Sequence, residues 1–262
     1  MLPKIETELQ WIIGSLGVSH FDELREMMAY HLGWEGEGAG EKARGKRIRP
    51  ILALIATAAI EGEWEKAISA AAAVELIHNF SLIHDDIEDQ SDFRHGRKTV
   101  WSIWGKPQAI NTGDCMFTLA FQAVVQSATK PENVILAMDL LQETCVLLTK
   151  GQFLDMSYEP KDDLPLDAYM HMVGGKTAAL LACSAAIGAI ITGAAPEAIK
   201  ALREFGWNLG LAFQMQDDWL GIWGDSALTG KSAESDLMSG KKSLPTLLGL
   251  MIDGEFKRRW KK

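Results

Sequence analysis

Leu76-Ile77-His78-Asn79-Phe80-Ser81-Leu82-Ile83 runs into Asp85-Asp86-Ile87-Glu88-Asp89, and this stretch decides the fold. The segment from Ser69 to Asp89 has few helix breakers and no period-two alternation, so it reads as one long helix. Residues at i and i+4 share a helix face, which lines Asp85 up with Asp89 and leaves Asp86 beside them. His78, one helical repeat before Asp85, falls on that side too. Clustered carboxylates repel one another unless something cationic sits between them. Mg²⁺ resolves that conflict well, because it is commonly held by one or two carboxylates plus substrate phosphates. Taken alone, the cluster fits a solvated acidic helix end equally well.

A second cluster shifts the balance. Phe213-Gln214-Met215-Gln216-Asp217-Asp218 again places paired carboxylates after an apolar helix. Two acidic pairs on separate interior helices can hold several ions around one diphosphate and neutralise charge on a leaving group. Cations accompany both clusters: Lys46, Arg47 and Arg49 in one short loop, then Arg94, His95, Arg97 and Lys98, and downstream Lys176, Lys231, Lys241 and Lys242. Arg offers a planar fork for phosphate oxygens and Lys a point charge. The Ser, Cys and His residues show no catalytic triad signature.

The rest of the chain reads as helix and loop. Residues 5–32 form an opening helix pair, and Gly33 to Gly45 a mobile Gly- and Glu-rich loop. Helices are expected at Ile51–Ile60, Ile110–Ser127, Glu132–Tyr158, Asp167–Thr192, Ala195–Trp223 and Leu244–Met251, with a further element at Val100–Trp104. Gln90–Thr99 and Gly224–Lys242 read as connections, and a sheet is improbable. The expectation is an all-α bundle with ionisable side chains projecting inward from facing helices. No composition shift marks a linker, so residues 1–262 read as one domain.

Composition bounds the partners. The 262 residues are 47% hydrophobic and carry a formal charge of −9, which excludes a nucleic-acid partner because phosphate backbones demand a basic surface. Bridging divalent cations would still let such a protein hold a diphosphate. Cys115, Cys145 and Cys183 read as buried, reduced thiols of a cytoplasmic protein. The start lacks the basic residues and apolar run of a signal peptide. Thr177 to Ala195 is uncharged and nearly long enough to span a membrane, but its Ala, Gly188 and Gly193 suit a crowded interior helix, so no membrane span is expected.

From Gly45-Lys46-Arg47-Ile48-Arg49-Pro50, through both Asp motifs, Gly175-Lys176-Thr177 and Gly230-Lys231, to Gly240-Lys241-Lys242-Ser243-Leu244-Pro245, the chain resembles the trans-isoprenyl diphosphate synthases, also called polyprenyl synthetases. The resemblance implies the all-α isoprenoid synthase fold as a single polyprenyl synthetase domain, a homodimer, and a prenyltransferase that condenses isopentenyl diphosphate with an allylic diphosphate. It implies Mg²⁺ on Asp85, Asp86, Asp89, Asp217 and Asp218. Asp85, Asp86, Asp217 and Lys176 would carry catalysis. Arg94, Lys176, Thr177, Gln214, Lys231 and Lys241 would contact the allylic diphosphate, and Lys46, Arg49 and His78 the isopentenyl one. Phe80 and Ser81, five and four residues before Asp85, would set product length, favouring the geranylgeranyl over the farnesyl product.

Three features depart from the family pattern. His95 stands where a second Arg is usual and lacks the guanidinium fork. Gly221 stands where many members have a third Asp, with Asp225 following. The chain stops soon after Leu250, where the family commonly continues, so a C-terminal truncation is one expectation. Two alternatives stay open: a class I terpene synthase on the same fold, disfavoured by Lys46, Arg49 and His78, and a non-catalytic regulatory subunit, disfavoured by the two intact Asp motifs.

Overall fold

The computed structural model describes residues 1–17, 20–60, 63–161, 163–224, 242–252 and 254–260. Asp225, Lys231 and Lys241 lie outside the described residues. The described chain is almost entirely helical, as expected. Helices run Leu2–Gly14 (α1), Asp22–His31 (α2), Glu41–Arg44 (α3), Ile48–Ile60 (α4), Ile68–Glu88 (α5), Val100–Trp104 (α6), Lys106–Val125 (α7), Pro131–Tyr158 (α8), Leu166–Val173 (α9), Ala179–Thr192 (α10), Pro196–Trp223 (α11), Leu244–Met251 (α12) and Glu255–Trp260 (α13). Between α5 and α6, Phe93–Arg94 (β1) pairs antiparallel with Arg97–Lys98 (β2). His95 and Gly96, at φ 52° and 77°, form its two-residue turn in the primed class that hairpins favour. This small hairpin is the exception to the sheet-free expectation.

Two compact units divide the chain: Met1–Gln142 with Cys183–Arg203, and Glu143–Ala182 with Glu204–Lys262.

The first unit is organised on α5, against which α1, α4, α6 and α7 pack. Its Ala70-Ala71-Ala72-Ala73 run is fully buried, because side chains this small let neighbouring helices approach closely. Gly188 on α10 serves the same end: a Cβ there would lie 1.9 Å from Thr57 Oγ1. Beneath the core sits a buried polar knot. Arg47, at φ 47°, donates to Glu6 (2.8 Å), Glu75 (2.9 Å) and the Leu32 carbonyl (3.1 Å). The Gly33–Gly45 segment is more ordered than a mobile loop, since Arg97 donates to the Glu35 and Glu37 carbonyls.

In the second unit, Leu164, Tyr169, Met172, Val173 and Leu247 form a buried cluster. Gly174–Ala178, between α9 and α10, is a π-helical turn rather than the uninterrupted α-helix expected. Glycines admit it: Gly151 of α8 comes so near that a Cβ there would lie 2.1 Å from the Lys176 nitrogen, and one on Gly210 of α11 would lie 2.4 Å from Ala178 Cα.

By length and hydropathy two helical stretches could cross a membrane, Trp64–Glu88 and Leu166–Thr192; the apolar window of the second is 94% buried within the protein. Cys145 and Cys183 are buried as expected, whereas Cys115 is half-buried.

Candidate active site

The first Asp motif closes α5. Asp85 is half-buried, Asp86 buried, and Asp89 exposed just past the last helical residue, where its amide still bonds the Asp85 carbonyl at 2.9 Å. Asp86 accepts from Arg94 of β1 through both Nε and Nη2 at 2.9 Å, both to Oδ1. Its Oδ2 is shut off from solvent and has no hydrogen-bond partner. Burial and the Asp89 charge push the Asp86 carboxyl up; Arg94 pulls it down.

A cluster of cationic and imidazole side chains lies in the same unit. Arg49 lies in the first turn of α4, not in the preceding loop, and its Nη1 meets His78 Nε2 at 3.1 Å. Arginine only donates, so Nε2 accepts and the imidazole is neutral. Burial, then the charges of Arg49, Arg94, His31 and Arg47, hold His78 well below the ordinary histidine range. Burial likewise lowers Arg49. Lys46 and His95 are exposed. Arg47 is consumed by its buried carboxylates, so it serves the fold. His31, absent from the sequence expectations, belongs here: burial and then Arg94, Arg47, His95 and Arg97 lower it to about 3.

Phe80, half-buried on α5, packs edge-on against Phe117 of α7 (5.0 Å between ring centres) and against His84 (5.5 Å); Phe117 meets Phe121 at 4.9 Å. An aromatic row thus extends from the residue expected to set product length. Ser81 folds its hydroxyl back onto the His78 carbonyl at 2.8 Å.

The second motif closes α11 in the second unit. Asp217 is exposed and Asp218 is buried. Asp218 is heavily engaged: Gln214 donates to Oδ1 (2.9 Å), while the Tyr169 hydroxyl (2.6 Å) and the Leu244 amide (2.8 Å) donate to Oδ2. A carboxylate offers about four lone-pair sites, so one remains. Thr177 donates to Gln214 at 2.7 Å, and Lys176 donates to Asp155 at 2.5 Å. Thr177 and Gln214 are therefore linked to Asp218 and Lys176 to Asp155, with Asp155 and Tyr169 as supports that sequence reasoning missed. These partners lie 21 and 49 positions from the residues they hold, and no local pattern signals such pairings.

Among the described residues no group of three or more His, Cys, Asp or Glu side chains is arranged to hold a metal ion by itself. The donor set still suits a hard cation. Asp86 presents a buried oxygen without a partner, flanked in sequence by Asp85 and Asp89, and such an ion takes only one or two carboxylates besides phosphate oxygens.

Residues 40–261 match the polyprenyl synthetase family. The (2E,6E)-farnesyl diphosphate synthase of Mycobacterium tuberculosis is 41% identical over 238 residues, 90% of this chain and 66% of that protein. The geranylgeranyl diphosphate synthase of Saccharolobus solfataricus is 40% identical over 92% of this chain and 70% of its own. The chain thus spans about two-thirds of the length of these curated relatives. A polyprenyl synthetase structure from Streptomyces coelicolor superposes with a TM-score of 0.90 at 37% identity, covering 99% of this chain and 76% of that one.

Proposed function

Because the chain belongs to the polyprenyl synthetase family and has the all-α isoprenoid synthase fold, we propose that it is a short-chain prenyltransferase that condenses isopentenyl diphosphate with an allylic diphosphate. One observation carries this reading: a single unit holds both an unpartnered buried acceptor, Asp86 Oδ2, and an unpartnered buried donor, Arg49 Nε. The first suits a cation and the second an oxyanion. Relatives named farnesyl and geranylgeranyl diphosphate synthases favour it over a terpene cyclase or a regulatory subunit.

Asp85, Asp86, Asp89 and Asp217 would hold magnesium, Asp218 adding the lone pair its three hydrogen bonds leave. Bound there, Mg²⁺ supplies positive charge that neutralises the departing diphosphate. Arg94, Lys176, Thr177, Gln214, Lys231 and Lys241 contact the allylic diphosphate. Asp155 orients Lys176, and Tyr169 fixes Asp218. Arg49, Lys46 and His78 hold isopentenyl diphosphate. With no triad at hand, the released diphosphate accepts the final proton. Apolar side chains keep water from the allylic cation, and the Phe80–Phe117–Phe121 row limits the tail, favouring the twenty-carbon product.

The two units act as one synthase domain in the cytoplasm, as a homodimer. In the second unit, Val146 and Phe153 lie two helical turns apart on α8 and are exposed, which suits a partner surface. The test is to incubate the chain with Mg²⁺, isopentenyl diphosphate and each allylic primer. A longer prenyl diphosphate is expected; a hydrocarbon formed without isopentenyl consumption, or no turnover, refutes the reading.

A further inference from the structure

Two nitrogen atoms of the first unit are shut off from solvent and make no hydrogen bond: Nε of Arg49 and Nε2 of His31. Buried polar atoms are seldom left in that state, and each case asks for an explanation.

His31 ends α2, and the backbone on either side of it is pinned. Arg97 Nη1 donates to the Tyr30 carbonyl at 2.7 Å, and Arg47 Nη2 to the Leu32 carbonyl at 3.1 Å. The Tyr30 hydroxyl donates to the Lys98 carbonyl at 2.8 Å, and the Arg97 guanidinium lies 4.0 Å from the Tyr30 ring centre. The end of α2, the β1–β2 hairpin and the start of α4 are thereby tied together around the imidazole. Charged and titratable groups act on it from each: Arg47 before α4, His78 on α5, and Arg94, His95 and Arg97 on the hairpin. The nearby carboxylates are already bonded, Glu6 and Glu75 to Arg47 and Asp86 to Arg94.

Several guanidinium nitrogens here are already engaged within the protein. Arg47 holds Glu6, Glu75 and Leu32; Arg97 holds Tyr30, Glu35 and Glu37; Arg94 holds Asp86. His78 accepts from Arg49 and so must stay neutral. Among the described nitrogens shut off from solvent, the two without an acceptor are Nε of Arg49 and Nε2 of His31. The complement of such a nitrogen among cationic side chains is an oxygen of an anion.

We propose that His31 Nε2 donates a hydrogen bond to the diphosphate that binds among these side chains, and that the imidazole takes up one proton from solvent as the anion arrives. The inference rests on the diphosphate reading above. One N–H bond forms on the ring, the proton leaving water or buffer, and no other covalent bond changes. Burial and the surrounding cations keep the ring neutral, and an arriving polyanion reverses the sign of that field.

Calorimetric titration with isopentenyl diphosphate tests this. EDTA is included so that the carboxylate motifs cannot recruit the ligand through a metal. Comparing buffers of different ionisation enthalpy counts the protons taken up, and comparing wild type with His31→Gln cancels the ligand's own protons. Wild type should take up about one proton more than the variant and bind at least roughly tenfold tighter, the loss expected for one charge-assisted hydrogen bond. Nitrogen NMR of the wild-type histidine rings reads the same event without a variant: one ring should convert to imidazolium on binding. Equal affinity and equal proton uptake in the two proteins, or binding with no ring converted, overturns the role of His31 and leaves the diphosphate reading standing. No binding by wild type overturns both.

Discussion

Replacing Gly151 by alanine sets two effects of opposite sign against each other. Gly151 lies inside α8, where Gly→Ala alone stabilises a helix by about 1 kcal/mol. The new Cβ, however, would stand 2.1 Å from the Lys176 backbone nitrogen and 2.6 Å from the Gly175 carbonyl carbon. Bringing the first contact out to 3.0 Å takes about 0.9 Å, and both atoms are backbone, so no side chain can swing away. Overpacking of this kind costs roughly 1–3 kcal/mol or more, so steric strain outweighs propensity and the variant is less stable. The displaced group is the π turn that carries Lys176 and Thr177. A shift near 1 Å in a positioning group costs about 10²-fold in turnover. Thermal unfolding and kcat are measured together, with Gly14→Ala as control, since a Cβ on Gly14 meets nothing within 4 Å. A Gly151→Ala protein with raised Tm and unchanged kcat would refute the reasoning.

Three further outcomes follow from the same structure. Phe80→Ala removes the ring facing Phe117, so chromatography of products should show longer chains; an unchanged distribution sinks the chain-length argument. Arg47→Met strands Glu75 and Glu6, which should cost about 3–5 kcal/mol in denaturant unfolding, the penalty of an uncompensated buried charge. His31 and His78 titrate lower when folded than at the ordinary 6.5. Below that pH the unfolded chain binds more protons, so stability should fall as pH drops below 6.5, for His31 down towards about 3 and by up to about 1.4 kcal/mol per pH unit. Denaturant midpoints across that window check this, and a flat profile would contradict it.

The long helices were legible because apolar residues and few breakers persist over many turns, as in α5, α8 and α11. Two helix starts were placed too late. The expected starts at Ile51 and Ile110 lie past Pro50 and Pro107, each of which sits in a first turn, where the missing N–H costs nothing. The hairpin escaped because strands of two residues are too short to show alternation. The Asp motifs were visible from residue type and spacing, and the Lys176–Thr177 pair through the family resemblance. Their supports were not. Asp155, Tyr169 and His31 are ordinary residues until folding brings them against Lys176, Asp218 and the hairpin arginines. Arg47 shows the converse: its place beside Lys46 and Arg49 suggested a ligand contact, but its partners are Glu6 and Glu75.

The π turn at Gly174–Ala178 holds one residue more than a regular α-turn would. Each residue advances a helix by about 100°, so everything on α10 is rotated by that angle against what an unbroken helix would present. Losing Gly174 or Gly175 would restore regular hydrogen bonding locally and at the same time turn Ala179, Leu180 and Leu181 out of register with their surroundings in the second unit. The sequence on the far side of the motif is thus matched to the additional residue.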